Sequence, residues 1–240
     1  MINSEQIIIC ISLINVPLPA STLDFLKEIY SIASFDLIPN LGDMINSILG
    51  LLPTEPITQG LADLGFESDY IINNLGTIFF FFLSYPFAIL LQLALQRCEK
   101  SSERVARANQ YLKRSLYYNS FITGLNEGYS VLALSVLIGL YNLNWDTPGT
   151  SIQSFFCLFF GVMIIVVPAR LFWVTLFDFA ELTEEEIEER YGSIYSGLRQ
   201  KSGKAVLMQP AFFLVRRLIV AIAIVFFRET LIAQIYLIWA

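Results

Sequence analysis

The sequence predicts an all-α protein built as a polytopic transmembrane helix bundle. Three observations predict it. Of 240 residues, 55% are hydrophobic and only 15% are charged, whereas ordinary soluble domains are about 25% charged. Mean hydropathy is +0.61. The apolar residues also gather into runs close to the roughly 20 residues that a helix needs to cross a bilayer. Disorder is excluded, because it requires low hydrophobicity and high charge.

The runs come in order along the chain. Residues 1–17 hold a partial span at 7–16 (IIICISLINV). Four full spans are expected at 71–96, 121–141, 155–177 and 211–227, and a partial one at 231–240 (LIAQIYLIWA). Pro86 and Pro168 fall inside the first and third full spans and predict kinks. Two partial runs suggest a fragment of a larger membrane domain, completed by missing spans of the same protein or by other membrane subunits.

Orientation follows from the basic residues. Connection 97–120 carries Arg97, Lys100, Arg104, Arg107, Lys113 and Arg114, and connection 178–210 carries Arg190, Arg199, Lys201 and Lys204. Loop 142–154 carries none, and segment 18–70 carries only Lys27 against eight acids. Connections 97–120 and 178–210 are therefore expected to be cytoplasmic, and the other two extracytoplasmic. Segment 18–70 is expected to hold short helices: one opens at the capping box Ser21-Thr22-Leu23-Asp24, and another covers Met44–Leu52. Its acids read either as a solvated surface or as a cation-attracting vestibule.

Connection 178–210 predicts an interfacial helix. Thr183 and three following glutamates form its start. Ile187, Tyr191, Ile194, Tyr195 and Leu198 then make one apolar stripe at helical spacing.

Ionisable residues inside spans are costly, so each is a candidate for function. Glu127, Arg170, Arg216 and Arg217 all fall about 8–11 Å from the cytoplasmic ends of their spans, counting 1.5 Å per residue. Spans of alternating direction bring them to one level, with Asp178 nearer the surface. A charge cluster is expected there, serving helix register or ion movement. A second constellation is the small-residue row Gly124, Gly128, Ser135 and Gly139 in the second span, the kind of surface on which helices approach closely in lipid.

The chain has no histidine, which excludes Ser-His-Asp hydrolysis and imidazole metal sites. No phosphate-binding G-x-x-x-x-G-K-S/T occurs. The three cysteines, Cys10, Cys98 and Cys157, have no metal-ligand spacing. An enzyme, a resident metal or cofactor, and a nucleic-acid partner are all not expected. The net charge of −6 argues the same way on nucleic acid. The partner expected from composition is the lipid bilayer.

Several stretches carry a resemblance. They are FDLIP (35–39), LGFES (64–68), NEGYSVLALSVL (126–137) and ERYGSIYSGLRQKSGKAVLMQPAFFLVRRLIVAIAIVF (189–226). The last is similar to the Tyr-Gly … Pro … Arg-Arg segment near the C-terminal end of very large ciliate surface proteins. Their multispan domain distantly resembles transient-receptor-potential (TRP) and polycystin-like channels. That resemblance implies an α-helical bundle in the plasma or ciliary membrane, taking part in cation conduction once assembled. A non-conducting anchor or accessory subunit, tethering an extracellular or multi-protein assembly, is the alternative.

The charge cluster makes a testable expectation. Reversing Glu127 alone, or one of Arg170, Arg216 and Arg217 alone, should lower expression in membranes. Reversing Glu127 together with its partner should restore it. Unchanged expression in every single reversal would remove the pairing.

Overall fold

In the computed structural model the described residues are 41–98 (apart from 52, 53, 55, 64 and 67), 103–114, 120–177, 208–227 and 230–239, with scattered positions from 19 to 28. All are helix, turn or loop. The elements are α1 (Leu41–Leu49), α2 (Gln59–Asp63), α3 (Ile71–Leu75), α4 (Thr77–Cys98), α5 (Glu103–Arg114), α6 (Ser120–Gly139), α7 (Pro148–Phe177), α8 (Gln209–Phe226) and α9 (Leu231–Trp239). A 3₁₀ turn, Leu140–Asn142, follows α6. Ser21, Thr22, Asp24, Phe25 and Glu28 are helical, within the first surface helix expected from the capping box. The partial span at 7–16, Asp178, and the stripe Ile187, Tyr191, Ile194, Tyr195 and Leu198 lie outside the described residues.

Three helices are long and apolar enough to cross a membrane: α4, α7 through Leu176, and α8. The second expected span falls on α6. Boundaries differ from the sequence expectation in two places. The apolar run from Ile71 is broken at Gly76, whose φ of +48° and ψ of −126° end α3 and let α4 begin afresh at Thr77. Only glycine adopts that conformation without strain. The third run is longer than expected, because Pro148 starts α7 seven residues before Phe155. Proline fits the first turn of a helix, where its missing N–H has no partner to lose.

The chain divides into two compact units, and the boundary between them falls within α4, α6, α7 and α8. The first comprises residues 1–79, 128–167 and 214–240; the second comprises 80–127 and 168–213.

In the first unit α6 is the centre. Every residue from Gly128 to Gly139 is buried. α7 turns Cys157, Phe160 and Ile164 inward, at i, i+3 and i+7. Its other side exposes Phe155, Phe159, Val162 and Ile165. α8 contributes Val220, Ala221, Ala223, Ile224 and Val225. Edge-to-face rings pin Phe79 to Phe156 at 5.1 Å, a geometry worth about 0.5–1.5 kcal/mol beyond burial.

The short helices 41–75 pack on the same unit. α1 lies against α3. Buried Ile45, Leu51, Leu61 and Phe66 form its apolar floor. Gly149, at the start of α7, is buried against α1: a Cβ there would fall on the Leu49 carbonyl oxygen.

In the second unit α4 exposes Leu83, Phe87, Leu90, Leu91 and Leu93. Water would not tolerate so continuous an apolar face, and lipid does. The buried amide of Gln92 donates to Asn109 Oδ1 of α5 at 3.1 Å, which ties that amphipathic helix to α4. Phe172 and Phe212 meet edge to face at 5.1 Å, joining α7 to α8.

Gly149→Ala should lower stability by about 1–3 kcal/mol, because backbone rather than a flexible side chain must move. Gly60→Ala meets open space and should shift it by no more than about 0.5 kcal/mol. Thermal melts in detergent compare the two; equal melting temperatures would refute the close approach of α1 to α7.

Candidate functional site

Proline inside a helix leaves the carbonyl four residues earlier without its N–H. For Pro168 that carbonyl belongs to Ile164. In hydrocarbon an unsatisfied carbonyl costs several kcal/mol, so a neighbour must supply a donor. Here the neighbour is Tyr129 on α6. Its hydroxyl donates to the Ile164 oxygen at 2.5 Å, and the tyrosine is wholly buried. The proline and the tyrosine are thus one feature.

Arg217 of α8 is buried in the same unit, at 3% exposure. Ser135, two turns further along α6, is also fully buried. The arrangement positions polar groups within an apolar bundle. Among the described residues, no three His, Cys, Asp or Glu side chains come together as a metal site would require.

The other intramembrane charges stand as follows. Glu127 is half-buried on α6, and Arg170 is exposed on α7; both belong to the second unit. Arg216 is exposed and Arg217 buried, one residue apart on α8, both in the first unit. Neighbouring positions on a helix point about 100° apart, so adjacent arginines have opposite environments. The exposed pair can run their aliphatic stems along apolar surface and lift their heads toward water.

The small-residue row faces particular neighbours. A Cβ at Gly124 would come within 2.5 Å of the Phe81 ring, and one at Gly128 within 3.4 Å of Ile78; both neighbours are on α4. Gly139 lies against Cys157 of α7 and the Asp69 carbonyl, at 3.1 and 3.6 Å from a Cβ position. On α7, Gly161 faces Val136 of α6 in the same manner.

A second polar knot closes the other end of the first unit. α3 has no side-chain cap at Tyr70, so its first N–H groups need partners from elsewhere. Buried Gln153 of α7 provides one: its Oε1 accepts the Ile72 N–H at 3.1 Å. Asn74 Nδ2 donates to the Ser68 carbonyl at 2.6 Å. Thr54 Oγ1 accepts the Asp69 N–H and shares a hydrogen bond with Ser68 Oγ at 2.9 Å.

Sequence reasoning missed Tyr129, Gln153 and Asn74. One signal existed for the first: Pro168 announces an unsatisfied carbonyl at Ile164. Nothing in the chain order names the donor, which comes from 35 residues away. No family model, curated protein or solved structure matches the chain.

Tyr129→Phe should cost about 0.6–1.7 kcal/mol, the range of interhelical hydrogen bonds in membranes. In a Pro168→Ala background the penalty should shrink, since residue 168 then offers its own N–H to Ile164. Reversible unfolding in mixed micelles measures the cycle; strictly additive effects would sever the link.

Proposed function

We propose that this chain is the membrane-embedded helical domain of a TRP/polycystin-like surface protein, and that it acts as a packing module beside a cation path rather than as the path itself. α4, α6, α7 and α8 are its full crossings, and the apolar runs at 7–16 and 231–240 belong to further membrane-inserted segments. Connections 97–120 and 178–210 face the cytoplasm, in a plasma or ciliary membrane. The partners are lipid and other membrane spans, from subunits of an assembly.

The observation that carries the module role is the burial of α6 on every side from Gly128 to Gly139. A pore-lining helix keeps one side toward water. This helix keeps none over those twelve residues, and its Tyr129 hydroxyl is spent on a carbonyl of the proline-bearing α7. Ion movement would then arise where several copies or subunits meet. The same close packing favours a second role, a non-conducting anchor or accessory subunit. No enzymatic chemistry is proposed for a chain without histidine.

The purified chain, reconstituted in liposomes at less than one copy per vesicle, should pass no cations above the lipid background. Electron microscopy of gently solubilised native membranes should show copies arranged around a common axis. Flux from single copies would overturn the module role. A solitary copy among unrelated proteins, with no axial pore, would overturn the channel assembly in favour of the anchor.

A further inference from the structure

α1 presents an apolar surface that the fold does not cover. Met44 is 50% exposed and Ile48 is 73% exposed. They stand four residues apart and so share one face of the helix. From Met44 to Thr54 the chain carries no charge. An adjoining side of α1 is occupied, since Ile45 is buried and the helix lies on α3.

The C-terminal end of α1 meets α7 at Gly149, whose absent side chain makes room for the Leu49 carbonyl. The exposed apolar side of α7 begins at Ile152 and Phe155. Those residues follow Gly149 by three and six positions, or about 4.5–9 Å of helix. Interfacial helices bury their apolar faces about 5–10 Å into the boundary between headgroups and acyl chains, so the two depths coincide. The connection between α6 and α7 exposes Tyr141 and Trp145 at this same end of α7, the residue types that gather at membrane interfaces.

We propose that α1 is an interfacial anchor: Met44 and Ile48 insert into the leaflet that meets loop 140–147, and the occupant of their face is lipid. The apolar side of α7 and the face of α1 then form one continuous lipid-contacting surface. This rests on the chain being membrane-embedded, and not on what it conducts.

Fluorescent labels report the environment directly. Cys98→Ser and Cys10→Ser remove competing thiols, while buried Cys157 stays. In this background Met44→Cys, Ile48→Cys, Gly60→Cys and Phe155→Cys each take an environment-sensitive dye, and the protein is placed in phosphatidylcholine vesicles. At positions 44, 48 and 155, nitroxide-bearing lipids should abolish most of the emission, and aqueous iodide little of it. Position 60 should show the reverse. Lipid quenching at 155 with iodide quenching at 44 and 48 would overturn the anchor alone. Iodide quenching at 155 as well would overturn membrane embedding itself. Shielding of 44 and 48 from both quenchers would mean that a second copy covers α1, and would overturn lipid as the occupant.

Discussion

Hydrocarbon offers no hydrogen bonds, so every backbone N–H and C=O within it must be answered by the protein. The polar architecture of this chain follows from that constraint. Pro168 frees a carbonyl, and Tyr129 reaches across from α6 to take it. Gly76 separates α3 from α4, and at the other end of α3 Tyr70 provides no side-chain cap, so Gln153 receives the Ile72 N–H. In these two places a side chain from another helix answers a backbone group.

Close packing is the second requirement. In water, burying leucine and phenylalanine would itself drive helices together. In lipid that gain largely vanishes, because acyl chains are as apolar as the side chains they replace. What remains is close contact, and small residues supply it. Gly124 and Gly128 admit Phe81 and Ile78 of α4, while Gly139 and Gly161 bring α6 and α7 within reach of each other. Broader side chains at these positions would hold the helices apart and forfeit dispersion contacts along their length.

Much of this was legible in the chain. The apolar runs at 155–177 and 211–227 predicted α7 and α8 to within a few residues, apart from the early start of α7 at Pro148. The glycines of α6 marked close approaches, Gly124 and Gly128 to α4 and Gly139 to α7. The break at Gly76 was hidden because Ile71, Ile72 and Leu75 are as apolar as the span that follows, so the segment joined the run despite Asn73 and Asn74 between them. Tyr129 and Gln153 were hidden for a different reason. Each answers a backbone group on a distant element, and sequence order does not reveal which elements adjoin. The same limit applied to Arg216 and Arg217: their chemistry is identical, and only the direction each takes from α8 separates a buried charge from an exposed one.

The length of α7 has a mechanical meaning. Its exposed apolar residues run from Ile152 to Leu176, about 36 Å along the axis. A typical hydrocarbon core is about 30 Å thick. Excess of that size is absorbed by leaning, by bending or by local thickening of the bilayer, each at a fraction of a kcal/mol per Å. A thicker bilayer would let α7 stand more upright, and a thinner one would lay it over. In a bilayer, the inclination of such a long helix is tied to the thickness of the hydrocarbon it crosses.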